Sequence, residues 1–174
     1  AEIDTFLDVL MNAYNNGATI FIFGNGGSAA TASHFATDLN KGISFGLEKR
    51  FRVMALTDNF STVSAYSNDT SYDDVFVEQM KNFIKPGDLV IGISGSGNSK
   101  NVIKAIEYAK SSGNTTVGIT GYDGGKLRQI ANHSVNANIN DMQISEDIHM
   151  ILGHLTMKVL NGVIRNEQNP SACE

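Results

Sequence analysis

Apolar runs of strand length alternate with segments of helical period along the chain, and two of those runs end in turns rich in glycine and serine. Thr19–Phe23 stops at Gly24-Asn25-Gly26-Gly27-Ser28, and Asp88–Ile93 stops at Ser94-Gly95-Ser96-Gly97-Asn98-Ser99. Short runs of β-branched and aromatic residues bounded by turn residues predict strands, and apolar recurrence at three and four residues predicts helices. Strands are expected over about 19–23, 51–56, 88–93, 115–120 and 133–139. A first helix carries Ile3, Phe6, Leu7, Leu10 and Met11 and closes at Asn15-Asn16-Gly17. Further helices are expected from Ser28 onward and over about 72–83, 101–110, 126–131 and 144–165. Lys41–Lys49 reads as an irregular loop able to cover a site, and Thr57-Asp58-Asn59 as a turn into the segment through Tyr66-Ser67-Asn68-Asp69. Such alternation defines an α/β protein, a doubly wound, five-stranded parallel sheet with helices on both faces. Residues 1–165 are expected to form one domain, followed by a polar tail over 166–174.

The 174 residues are enough for one substantial core. A net charge of −5 with no basic run argues against a nucleic-acid partner. No apolar stretch has bilayer length and no secretory leader pattern is visible, so no membrane partner and a cytoplasmic home are expected. Cys173 is the single cysteine, which rules out an internal disulfide. The chain opens at Ala1, without methionine, inside a segment that already reads as helix, so residues upstream are expected.

The two turns carry the chemistry. Glycines let the main chain approach a ligand closely. The helix that Ser28 opens offers unpaired N–H groups and a positive dipole end to a phosphate. Neither turn has the closing Gly-Lys-Ser/Thr of a nucleotide phosphate loop or a full GxGxxG, which disfavours nucleoside triphosphates and dinucleotides. Three hydroxyls with free backbone N–H groups solvate a phosphate without lysine, which suits a sugar phosphate better than a polyphosphate. One turn into the first of these helices, His34 and Asp38 are four apart and share a face. A glycine turn is common in α/β proteins, and a His–Asp helix pair can be merely solvated; the second loop in the same strand–helix setting favours a site.

In the last helix, Ile144, Ile148, Ile151, Leu152, Leu155 and Val159 form an apolar stripe, with Met150, Gly153 and Met157 roughly opposite. A helix apolar on two faces suggests a subunit interface. Glu146 and His154 are about 80° and two turns apart on the second face; Asp147 lies closer still to His154 in angle. His149 and His154 can each equally be a hydrogen-bonded core histidine.

Gly24 to Ser28, Ser94 to Ser99, Asn101-Val102-Ile103-Lys104-Ala105 and Thr120-Gly121-Tyr122-Asp123-Gly124-Gly125-Lys126 together resemble the sugar isomerase (SIS) domain family. Within it, the chain is most similar to the phosphoheptose (sedoheptulose-7-phosphate) isomerases, over nearly its whole length. The resemblance implies a flavodoxin-like three-layer sandwich that binds a phosphorylated sugar and assembles as a homo-oligomer, a tetramer, with the site between subunits. It implies an aldose–ketose isomerase converting sedoheptulose 7-phosphate to D-glycero-D-manno-heptose 7-phosphate through an enediol, supplying heptose for lipopolysaccharide or capsule. Substrate contacts then fall to Asn25, Gly26, Gly27, Ser28, Asp69, Ser94, Gly95, Ser96, Ser99 and Glu146, with Asp123 equally readable as a turn former.

The same resemblance gives the proton work to Asp38 and His154, and a zinc site to His34, Asp38, Glu146 and His154. Imidazole and carboxylate donors suit that borderline ion. If zinc occupies the lone pairs of Asp38 and His154, the metal must polarise the carbonyl instead; both assignments stand open. Relatives carry Glu where this chain has Asp38, one methylene shorter, and Gln where it has Glu146. The rival readings are a non-catalytic SIS module (a phosphosugar sensor or a partner of the replication initiator) and an isomerase of another phosphosugar. Four polar residues retained together, expensive to bury unpaired, argue against a pure adaptor.

Overall fold

The computed structural model describes residues 1–168. Its elements run α1 (Glu2–Asn16), β1 (Thr19–Phe23), α2 (Gly27–Thr37), a π-helical segment (Asp38–Ile43), β2 (Arg52–Ala55), α3 (Phe60–Asp69), a 3-10 turn (Tyr72–Asp74) and α4 (Val75–Lys81). They continue with β3 (Leu89–Ser94), α5 (Lys100–Ser111), β4 (Thr115–Gly121), α6 (Gly125–Ile130), β5 (His133–Ala137) and α7 (Met142–Gln168). The five strands form one sheet in the order β2-β1-β3-β4-β5, every pairing parallel. The expected doubly wound sheet is present.

Period-two alternation in β1 divides the interior. Ile20 and Ile22 face a core shared with Phe6 and Leu10 of α1, Phe35 of α2 and Leu152, Leu160 and Ile164 of α7. Phe21 and Phe23 face the opposite layer with Phe76 and Met80 of α4 and Val102 and Ile106 of α5. Phe23 and Phe76 stack with centroids 4.8 Å apart. All four β1 side chains are fully buried, each contributing about 1.5–3 kcal/mol of apolar transfer. At the other end of the sheet, the buried carboxylate of Asp88 accepts from the N–H groups of Thr19 and Lys85, both at 2.8 Å, and fixes the start of β3 beside β1.

Four expectations need correction. The 41–49 stretch is not all loop: α2 runs without a break into the wider π-helical turns, and Ser44 Oγ, bonded to the Leu39 carbonyl at 2.8 Å, closes them. The segment after Asn59 is a helix, capped by the Asn59 side chain accepting from Thr62 N–H at 3.1 Å. Helix α4 starts only at Val75, after the 3-10 turn. Along α7, the core-facing row is Ser145, His149, Leu152, Thr156, Leu160 and Ile164, all buried. Most of the apolar stripe is therefore exposed: Ile144, Ile148, Ile151, Leu155 and Val159 all face outward, Ile151 at 63%. Helix α7 continues to Gln168, and the remainder of the polar tail lies outside the described residues.

Candidate active site

Strands β1 and β3 are neighbours at the point where the strand order reverses. That is where ligands collect in open α/β sheets, beyond the carboxyl ends of the strands. The glycine loop leaves β1 there and the serine loop leaves β3. Gly26, at φ 55°, caps α2, so the helix begins at Gly27, one residue before Ser28. No side chain fills that cap, and the first N–H groups of the helix have no carbonyl behind them. Helix α5 begins in the same way behind Ser99, again without a side-chain cap bond. Ser94, buried at the end of β3, shares a 3.0 Å hydrogen bond with Ser99, and between them one O–H remains to donate.

The serine loop is held from behind by the β4–α6 turn. Gly97, at φ 66°, lies so close to the Gly124 carbonyl that no side chain fits. Gly121 N–H donates to Gly95 O at 2.8 Å, Leu127 N–H to Gly97 O at 2.9 Å and Lys126 N–H to Asn98 Oδ1 at 3.1 Å. The loop's shape is set before any ligand arrives. Ser96 accepts from Asn98 N–H at 3.2 Å and faces a neighbouring cleft of about 540 Å³, with Asn138 and Asn140 opposite. Asp123, in the same cleft, caps the Gly125 N–H at 3.0 Å, the turn-forming role.

The candidate acid–base residues meet where α2 packs on α7. Gly153 makes this possible: a Cβ there would lie 3.0 Å from the Phe35 ring, so the helices touch. One residue before Phe35 and one after Gly153, His34 Nε2 and His154 Nε2 come within 3.0 Å. Asp38 Oδ2 lies 3.5 Å from His34 Nε2. That oxygen is buried yet has no hydrogen-bond partner. Two imidazole nitrogens aimed at each other, beside a carboxylate oxygen stripped of water and donors, form a donor set suited to a cation; ligand atoms of all three residues lie within 4.8 Å of one another. Imidazole and carboxylate fit zinc. The π turns start at Asp38 itself, a backbone feature frequent at functional sites.

The remaining candidates are distributed around this centre. Glu146 is not brought into the His34–Asp38–His154 group: its carboxylate lies against Gly27, over the start of α2, where a side chain on Gly27 would strike it. Asp69 stands apart, exposed at the end of α3, and accepts from Asn68 at 2.8 Å. The Asn25 side chain points to Asn101 and Tyr72 within the protein. Both partners went unassigned in the sequence: Tyr72 read as one apolar position of a helix, and Asn101 as part of a motif without a role. Beneath the site, His149 Nε2–H donates to the Thr120 carbonyl at 2.9 Å, tying α7 to the end of β4. Burial lowers its pKa below the usual 6.5, outweighing that bond and the nearby Glu146 charge, and its Nδ1 is left without a partner.

A parallel α/β sandwich with two glycine- and serine-rich loops at its switch point is built to take a small ligand there, and the comparison with known families narrows the class. Residues 1–121 match the SIS domain, and the chain belongs to that family. Its relatives include a probable phosphoheptose isomerase of Thermoplasma volcanium, 41% identical over 87% of this chain and 77% of the relative. A phosphoheptose isomerase of Aliarcobacter butzleri is 38% identical over 88% and 80%. Among solved structures, the phosphoheptose isomerase of Neisseria gonorrhoeae superposes with a TM-score of 0.85 at 29% identity, covering 92% of this chain and 85% of that one.

Proposed function

We propose that the chain is a sugar-phosphate isomerase that interconverts sedoheptulose 7-phosphate and D-glycero-D-manno-heptose 7-phosphate. The observation that carries this reading is the spacing of two chemistries on α2. The anion-binding start of the helix and the His34–Asp38–His154 group are separated by seven residues, about 10 Å. A seven-carbon sugar with its phosphate on carbon 7 presents carbons 1 and 2 at about that remove.

The Ser28 and Ser99 helix starts hold the phosphate, with the O–H left over on the Ser94–Ser99 pair. Asp38 removes a proton from C1 of the ketose and returns it to C2. His154 gives a proton to O2 as the enediol forms and takes the proton from O1, which completes the aldose. Positioned acid–base groups of this kind contribute about 100- to 10,000-fold each. Held by His34, Asp38 and His154, a zinc ion would polarise the carbonyl; that role and the acid–base role of Asp38 and His154 are alternatives for the same lone pairs. Glu146, placed over the start of α2, meets a sugar hydroxyl at the phosphate end.

The exposed apolar stripe of α7 supports a homo-oligomer, a tetramer in the family's manner, in which a second copy covers Ile151 and Leu155 beside the site. No helix among the described residues is long and apolar enough to cross a membrane, and a chain with one cysteine suits the cytoplasm. Heptose for lipopolysaccharide or capsule is the purpose that fits the product. Turnover of sedoheptulose 7-phosphate, followed by the appearance of the aldose, tests the reading; a pure sugar-phosphate sensor would bind and not convert it.

A further inference from the structure

The two anion loops are joined by side chains that no phosphate contact requires. Asn25, in the glycine loop, and Asn101, in the first turn of α5, face each other amide to amide. Asn25 Nδ2 donates to Asn101 Oδ1 at 2.8 Å, and Asn101 Nδ2 donates to Asn25 Oδ1 at 2.9 Å. Asn101 is buried, and its Oδ1 also accepts from the Val102 N–H at 2.9 Å. A third group completes the set: Tyr72 OH donates to Asn25 Oδ1 at 2.8 Å. With both lone-pair directions of Asn25 Oδ1 occupied, the Asn25 amide has one N–H left for a ligand. Two residues beyond Tyr72, Asp74 pairs with Lys104 on α5, so the 3-10 turn is anchored to the helix that Asn101 begins.

We infer that Tyr72 is a positioning residue for phosphate: acting through Asn25, its hydroxyl holds the glycine loop in register with the start of α5. The two helix starts act on one phosphate only if their N–H groups converge, and misplacement of a binding group by about 1 Å is heavily penalised. The glycines of the loop resist nothing by themselves. The reciprocal amide pair fixes the distance between the loops; the Val102 N–H, which can only donate, orients the Asn101 amide and through the pair the Asn25 amide, and the Tyr72 hydroxyl then holds Asn25 Oδ1 in place. Asn25 is thereby a strut between loops more than a free hydroxyl-binding side chain. The inference goes beyond the isomerase reading, because it concerns phosphate capture whatever is done to the sugar.

Tyr72 is half exposed, so Tyr72→Phe keeps the ring and removes one hydrogen bond. Binding of inorganic phosphate, measured by calorimetry for the wild-type chain, Tyr72→Phe, Asn25→Ala and the double variant, gives a complete cycle. Tyr72→Phe is expected to weaken phosphate binding about fivefold, the worth of one neutral hydrogen bond. KM for sedoheptulose 7-phosphate rises by the same factor while kcat falls less, the mark of lost uniform binding. In the Asn25→Ala background the same substitution has no further effect. An unchanged phosphate Kd in Tyr72→Phe overturns the inference. So do additive losses in the double variant, which would mean that the phenol touches phosphate directly, and so does a wild-type chain that binds no phosphate. If Tyr72→Phe weakens phosphate as expected while the wild-type chain converts no heptulose phosphate, the inference stands and the isomerase reading falls.

Discussion

His34 and His154 are 120 residues apart in sequence, and their Nε2 atoms are 3.0 Å apart in the fold. The two nitrogens can approach because one is neutral and protonated toward the other, or because a cation draws both. The unpartnered Asp38 oxygen beside them favours the cation. The wild-type chain is therefore expected to bind about one zinc per chain, and His154→Ala to lose it. Metal content by elemental analysis after gel filtration checks both, and zinc retained at full stoichiometry in His154→Ala would remove that residue from the ligand set.

Asp38→Asn keeps the size of the side chain and removes the base. Turnover is expected to fall at least about 100-fold with the fold intact by circular dichroism. Asp38→Glu keeps the carboxylate and lengthens it by one methylene, and is expected to keep measurable turnover. Full activity in Asp38→Asn would take the proton transfer away from this residue.

The contact that brings the histidines together can be loosened from a distance. A Cβ on Gly153 reaches the Phe35 ring at 3.0 Å, so Gly153→Ala forces a small shift and Gly153→Leu pushes α2 from α7. Overpacking of this kind costs about 1–3 kcal/mol. Turnover should fall in the order Ala, then Leu, while the denaturation midpoint falls with it. A Leu variant as active and stable as wild type would show that the helix contact does not set the geometry.

Burial holds His149 neutral in the folded state, with its pKa below the unfolded value near 6.5. The sign follows: the unfolded chain takes up the proton first as pH drops. This contribution to stability is complete above about pH 6.5, declines as pH falls below it, and levels off once the folded-state pKa is passed. Urea unfolding across that range is expected to show the loss, and His149→Gln to lessen it. An identical pH profile in the variant would assign the loss to other groups.

Ile151 and Leu155 lie exposed on α7 among apolar neighbours. The wild-type chain is expected to run as an oligomer by light scattering, and the double substitution Ile151→Glu and Leu155→Glu to lower that mass while each chain stays folded. An unchanged mass would place the subunit contact elsewhere.

How far the sequence could be read followed from where the physics was local. The five strands were legible because each is a short apolar run, and β1 gives both of its faces to cores. The two glycine- and serine-rich loops were legible as strand-to-helix turns because each breaks an apolar run and precedes a helical period. Helix α7 was only half legible: its core face mixes Ser145, His149 and Thr156 with Leu152, Leu160 and Ile164 while most of the apolar stripe points outward, and a period of 3.6 identifies stripes without saying which one the chain's own core covers. Helix α3 buries no side chain, so it left no apolar pattern, only the Asn59 cap. Glu146 and His154 share a helix face, but whether a side chain turns toward α2's start or toward His34 is decided by tertiary contact. Tyr72 gave no signal, since its hydroxyl acquires a partner only after the chain has folded back on the glycine loop.

The central claim is that this site isomerises a heptulose phosphate with the help of its His34–Asp38–His154 group. The most direct test is turnover of sedoheptulose 7-phosphate by the purified chain, before chelation, after it, and with zinc restored. Activity abolished by chelation and recovered with zinc is the result predicted. A chain that stays inactive in every condition, while the sugar phosphate still raises its melting temperature, would contradict the isomerase and leave a phosphosugar-binding protein.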